Sequence, residues 1–268
     1  MVQVCCPVCG RALSTEGPSW RCGAGHGFDV ARQGYVNLLT VSQKHSRAPG
    51  DSPAQVAARR AFLEAGHYAP LAARVAALLA AEAPDAVLDA GCGEGYYLRT
   101  AAAALPGTER WGVDIAKQAV RYAAARDPAG HWLTATAARL PFAGGSFGCV
   151  LSMFALTAAA EFRRVLRPGG LFLQVTAGPD HLLALRRLIY PELREKAAGA
   201  AADLPGFRLE GAETLRFPIR LEGGGAVWDL LAMTPHFMRI SPAGAGRARA
   251  AARLDDEAQA VIRRYRAI

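Results

Sequence analysis

Between residues 71 and 79 the apolar positions are Leu71, Val75, Leu78 and Leu79, the stripe of one helix face. A helical pattern with mixed faces already begins at Ala54 and includes Val56, Ala57, Phe62 and Leu63; Gly66-His67-Tyr68-Ala69-Pro70 separates the two, and Pro84-Asp85 closes the region. The period then changes. Ala86-Val87-Leu88-Asp89-Ala90 is a short apolar strand that runs into Gly91-Cys92-Gly93-Glu94-Gly95, and a helix is expected from near Glu94 to Ala104. Further strands are expected over 110–114, in the crossover that begins at His131, and at 144–153. A helix over 159–166 and the turn Arg167-Pro168-Gly169-Gly170 lead into a strand over 171–176. Phe207 to Leu221 reads as the closing strands, with a break at Gly223-Gly224-Gly225. Alternating strands and helices predict an α/β, Rossmann-like domain over 84–268, behind a linker and helical lead-in over 41–83.

The strand, glycine turn and helix after Ala86 form a nucleotide-binding crossover. The spacing is G-x-G-x-G, so Gly91, Gly93 and Gly95 let the backbone approach a small zwitterionic ligand instead of a pyrophosphate. Asp89 can orient the loop or meet an ammonium group. Asp114 ends the next strand, 19 residues beyond Gly95, where a carboxylate can accept both hydroxyls of a ribose, and Ile115 would cover one face of an adenine. The bland alternative is a generic crossover with no such ligand. Near Thr136 there is no acid to bind an adenine amino group, so backbone groups or Thr136 itself would do so.

Residues 1–40 carry different chemistry. Cys6-Pro7-Val8-Cys9 is a C-x2-C pair, and Cys22-Gly23-Ala24-Gly25-His26 a C-x3-H pair, so Cys6, Cys9, Cys22 and His26 supply the two edges of a tetrahedral structural zinc site. Cys5 makes the first pair ambiguous by one residue; Cys6 gives the two-residue gap. The alternative is scattered buried thiols with a surface histidine. No apolar window is long enough for a membrane span and the N-terminus does not read as a signal peptide, so the expected compartment is the cytoplasm. The chain has 268 residues, 51% of them hydrophobic, and a net charge of +8. The arginine excess favours a polyanionic partner, although an Ala- and Arg-rich composition also arises without one. Candidate RNA surfaces are the zinc module, the 43–53 loop with Lys44, His45 and Arg47, and a tail with Arg247, Arg249, Arg253, Arg263, Arg264 and Arg266, whose bland reading is a solvated helix face.

These motifs together resemble the bacterial large-subunit ribosomal RNA guanine-N1 methyltransferases, including those that confer macrolide resistance. The resemblance rests on the zinc ligands, on Gly34 to Leu39, Pro49-Gly50-Asp51-Ser52 and Arg60 to Tyr68, and on Gly91 to Tyr97, Gly178-Pro179-Asp180-His181 and Met233-Thr234-Pro235-His236. It implies a class I S-adenosylmethionine methyltransferase with structural zinc, acting on 23S ribosomal RNA, with cofactor contacts from Tyr68, Gly95, Tyr96, Tyr97 and His181. The family usually has an aromatic-Ala-Pro step after the fourth strand, whereas this chain has Phe154-Ala155-Leu156-Thr157. Phe154 is the candidate platform for an extruded base, with a core aromatic as its alternative. Asp180 and His181 are the candidate proton acceptors. Two further readings compete: a small-molecule methyltransferase on the same scaffold, and a non-catalytic zinc RNA-binding protein. A homodimer is compatible with the sequence.

Overall fold

The structure, a computed structural model, describes residues 2–15, 17–44, 49–193 and 203–268. His45 and Arg47 of the basic loop lie outside the described residues. The N-terminal segment forms a small antiparallel sheet of β1 (Leu13–Ser14), β2 (Ser19–Cys22) and β3 (Gly27–Asp29). The next strand, β4 (Val36–Asn37), leaves that sheet and pairs in parallel at the edge of the large one. Part of the segment expected to belong to the zinc module is therefore built into the main sheet.

Two helices follow, α1 (Pro53–Glu64) and α2 (Ala69–Glu82). The start of α1 explains Asp51-Ser52-Pro53: Ser52 Oγ accepts from the Gln55 N–H, Gln55 Oε1 accepts from the Ser52 N–H, and Pro53 occupies the first helical position. In α2 the predicted stripe of Leu71, Val75, Leu78 and Leu79 is buried.

The remaining elements are β5 (Ala86–Ala90), α3 (Tyr96–Ala101), β6 (Glu109–Asp114), α4 (Lys117–Arg126), β7 (His131–Thr134), β8 (Phe147–Met153), α5 (Ala159–Val165), β9 (Leu166–Ala177), α6 (Leu183–Ile189), β10 (Phe207–Glu222), α7 (Gly223–Ala232), α8 (Pro242–Ala250) and β11 (Arg253–Ala267). The large sheet has the order β10-β11-β9-β8-β5-β6-β7-β4, with β10, β11 and β9 paired antiparallel and the other neighbours parallel. The strand order reverses between β5 and β8. In such a sheet the ligand crevice opens at the carboxyl ends of those two strands.

Three expectations are corrected. The first glycine-loop helix starts at Tyr96, and its last turn, Ala102–Ala104, is a tighter 3-10 turn. Gly223-Gly224-Gly225 follows the end of β10 as expected, but it is the first turn of α7, whose buried Val227, Leu230 and Leu231 outweigh the poor helix propensity of glycine. The arginine tail is mostly not a helix face: Arg247 and Arg249 lie on α8, but the other four lie on β11, where Arg263, Arg264 and Arg266 sit between β10 and β9 and Arg253 pairs with β10 alone. Arg266 is held by Glu82 and Glu210, and Arg253 by Asp255, so neither is a spare cation for RNA.

Candidate active site and metal centre

At the carboxyl end of β5, Asp89 is fully buried and neither of its carboxylate oxygens has a hydrogen-bond partner. Burial pushes its pKa well above the usual carboxylate range, and the nearby charges of Asp114 and Glu94 push it further. Six buried side-chain nitrogen and oxygen atoms lack a partner among the described residues. Five of them, on Asp89, Glu94, Thr134 and Ser152, lie at or just beyond the carboxyl ends of β5, β7 and β8. Buried polar groups are nearly always paired in folded proteins, so a strand edge that gathers so many unpaired ones is shaped for a polar ligand.

The loop after β5 is close-packed. Gly91 has φ +92°, and a Cβ there would lie 2.7 Å from the Ala155 Cβ. The segment after β8 thus sits directly on the glycine loop. Gly95 is glycine for another reason: it caps α3 at φ +79°, and a Cβ would meet the Trp132 ring at 2.6 Å. Tyr96 and Tyr97 follow it into the interior, with ring centroids 5.2 Å apart. Asp114 accepts from the Gly93 N–H at 2.9 Å on one oxygen and from the Ala116 N–H at 2.7 Å on the other, each of which retains a second lone pair. The half-buried Ile115 lies beside Gly50.

Phe154 takes φ +52°, a region a bulky residue enters only under strain, and is 39% exposed. Its N–H donates to the Val175 carbonyl. The Phe154 ring lies 5.7 Å from His181 and 6.2 Å from Tyr68, and the Tyr68 hydroxyl lies 3.3 Å from His181 Nε2. His181 Nδ1 lies 3.1 Å from both the N–H and the carbonyl of Gln259. Tyr68, Phe154 and His181 are therefore brought together beside the loop. Asp180 is not brought to them: its carboxylate is ion-paired with Arg216 at the surface. Thr136 is half-buried and its hydroxyl accepts from the Ala138 N–H.

Sequence reasoning missed Glu94 and Arg59. Glu94 is buried with Oε2 unpaired; burial pushes its pKa up, and the charge of Arg59 opposes that rise. Arg59, on α1, is ion-paired with Asp51, lies 3.5 Å from the Met233 carbonyl, and its guanidinium would stand 3.8 Å from a Cβ on Gly93. Arg59 thus joins Asp51, Met233 and the glycine loop, from three separate segments singled out in the sequence. A signal existed in the Arg59-Arg60 pair, but mixed helix faces hid which arginine pointed inward.

In the N-terminal segment the ligand atoms of Cys6, Cys9, Cys22 and His26 all lie within 4.8 Å of one another. Cys9 and Cys22 Sγ are 3.7 Å apart, and His26 Nδ1 is 3.4 Å from Cys22 Sγ and 3.6 Å from Cys6 Sγ. Four ligands around zinc, with Zn–S near 2.3 Å, require separations of about 3.8 Å between sulfurs and about 3.6 Å from sulfur to nitrogen, so the set fits. Burial raises the Cys22 pKa, but hydrogen bonds from the Ala24 and His26 backbone, the His26 ring and Cys9 outweigh it and bring the thiol to about 6, poised to ligate as a thiolate. Cys5 lies outside the cluster, its N–H bonded to the Pro141 carbonyl.

Two family models match: the N-terminal zinc ribbon described as "RlmA, N-terminal" over residues 4–47, and a methyltransferase domain over residues 87–170. The chain is 39% identical over 250 residues to the 23S rRNA (guanine(748)-N(1))-methyltransferase of Streptomyces fradiae, covering 88% of this chain and 86% of that one. The chain belongs to the 23S rRNA guanine-N1 methyltransferase family. Two candidate members are also similar to this methyltransferase, one from Micromonospora griseorubida at 40% identity over 67% of each chain, and YxjB of Bacillus subtilis at 32% over 86% of this chain and 85% of its own. The methyltransferase uses S-adenosylmethionine and carries structural zinc. No helix among the described residues is long and apolar enough to cross a membrane.

Proposed function

We propose that this methyltransferase modifies N1 of a guanine in 23S ribosomal RNA, in the cytoplasm, with macrolide resistance as a consequence. The observation that carries this reading is the orphaned Asp89 carboxylate beside the exposed Phe154 at the switch point of the sheet, in a chain similar to a 23S rRNA methyltransferase across zinc module and cofactor domain alike. The organisation that supports it is a zinc module over 1–40, a lead-in over 41–83 and the cofactor domain over 84–268.

S-adenosylmethionine supplies a methyl group on a sulfonium, already an excellent leaving group, so the protein's task is positioning. Asp89 takes the ammonium group, Asp114 the ribose hydroxyls and Ile115 one adenine face. Gly91, Gly93 and Gly95 give backbone access, and Tyr96 and Tyr97 form the floor. Tyr68 and His181 close the methionine end. Phe154 receives the guanine, which must leave its stack to be reached. His181 faces that position, whereas Asp180 is occupied by Arg216. His181 is nearer that position than Asp180, but with Nδ1 held by the Gln259 backbone it accepts the N1 proton only where Nε2 gives up its contact with the Tyr68 hydroxyl. Cys6, Cys9, Cys22 and His26 hold the zinc.

The test is incubation with tritiated-methyl cofactor and unmodified 23S rRNA or large subunits, followed by primer extension. A stop at one guanine is expected, because N1 methylation blocks pairing. Cofactor binding with no label in RNA or subunits sinks the reading in favour of a small-molecule substrate. Phe154→Ala is expected to lower kcat by roughly tenfold or more, with little change in cofactor affinity, since it removes positioning and not cofactor binding.

A further inference from the structure

A cavity of about 440 Å³ lies between the turn before β4 and helix α4, lined by Gln33, Tyr35, Lys117, Gln118 and Arg121. Lys117 and Arg121 are four residues apart and therefore share one face of α4. Both are exposed, and neither has an acidic partner among the described residues. The side chains of Gln33, Tyr35 and Gln118 likewise have no hydrogen-bond partner among the described residues. All five lining side chains offer hydrogen-bond donors and none is a carboxylate, so the cavity selects an anion. Other arginines nearby are committed: Arg126 and Arg99 to Glu64, Arg110 to Asp127, and Arg60 stacked on Tyr122.

We infer that this groove binds the phosphodiester backbone of the RNA substrate, an inference that rests on the function proposed above. Three observations favour RNA over a free anion. The cations sit on an exposed helix face, where a long polyanion can lie along them. The chain as a whole carries a net charge of +8. The groove also spans two parts of the molecule. Gln33 and Tyr35 belong to the segment that carries the zinc ligands, and α4 begins three residues after Asp114, the proposed ribose acid. A strand held there is fixed relative to both, which sets its register without reading its sequence.

The experiment uses the full zinc-loaded chain and the double variant Lys117→Glu/Arg121→Glu. Zinc content and S-adenosylmethionine affinity by calorimetry serve as controls for folding, and both are expected to match the unaltered protein. The KM for the 23S rRNA fragment is expected to rise roughly tenfold or more, and the slope of log affinity against log salt to fall by about one for each phosphate that is no longer neutralised. Lys117→Arg/Arg121→Lys is expected to keep most of the affinity. An unchanged KM and salt slope in the Glu variant, with the unaltered protein active on RNA, overturns the groove and leaves the proposed function standing. Inorganic pyrophosphate binding that is abolished in the variant while RNA affinity is unaffected overturns it in favour of a free-anion site. An unaltered protein that neither binds nor methylates 23S rRNA overturns the function itself.

Discussion

Both oxygens of Asp89 are buried without a partner, and its proton is consequently held to higher pH than on a solvated aspartate. A cation placed against it favours the ionised form, so binding S-adenosylmethionine releases that proton. Affinity therefore rises with pH until Asp89 is already ionised in the free protein. Calorimetry in buffers of different ionisation enthalpy measures the release. In Asp89→Asn the release is expected to fall and affinity to drop roughly ten- to hundredfold, since a charge-assisted hydrogen bond contributes about 1.5–3 kcal/mol. Stability supplies an independent sign. With the folded pKa raised, the native state binds more protons than the unfolded one, and stability falls as pH rises from the unfolded pKa through that window. The cofactor-free Asn variant is thus expected to melt higher than the unaltered protein at neutral pH. Unchanged proton release in the variant would remove Asp89 from ammonium recognition.

Helix α1 carries the next level of organisation, because Arg59 ties it to Asp51 at its own start, to the end of α7 and to the glycine loop. Burial raises the pKa values of Glu94 and Asp114, while the charge of Arg59 holds both down. Without that charge both carboxylates take up protons at higher pH, so the loss of cofactor affinity on acidification should begin at higher pH in Arg59→Gln than in Arg59→Lys. Cofactor titrations across pH check this; coincident profiles would leave Arg59 a packing residue. None of this was legible in the sequence, where α1 shows mixed faces and its arginines look like solvated charge. By contrast β5, the glycine loop and the α2 stripe were legible, because a local period and a local turn determine them. The last strand, β11, was not, although its partner β10 was. β11 opens with Arg253-Leu254-Asp255-Asp256-Glu257, a polar run that suits a helix face, and only its pairing, with β10 along this run and with β9 as well from Ala260, makes it a strand. The zinc set was legible for the opposite reason to β11: four ligand types at fixed short spacings need no tertiary context.

At the scale of the molecule, the zinc segment is packed onto the cofactor domain and not merely tethered to it. Val4 bridges Phe142, the Cys5 N–H donates to Pro141, the Ala143 N–H donates to Gln3, and β4 extends the sheet beside β7. Val4, Leu13 and Trp20 share a buried cluster with Trp111, Leu133 and Phe142. Yet β1, β2 and β3 contain nine residues in all, too little to fold by burial alone, so the ion supplies what the segment lacks. Chelation is expected to open residues 5–30 to hydrogen exchange while β5, β6 and β8 stay protected, because their partners lie within the parallel core of the sheet. Cofactor affinity should then change by no more than roughly threefold, because β5 and β6, which carry Asp89 and Asp114, keep their pairing, whereas RNA methylation should fall sharply with the loss of the zinc module as a surface for RNA. Cys9→Ser is expected to reproduce the chelated state without a chelator. If cofactor affinity instead collapses together with RNA methylation, the zinc segment is part of the folding unit of the cofactor domain, and its contacts with Phe142 and β7 hold the catalytic edge of the sheet in place.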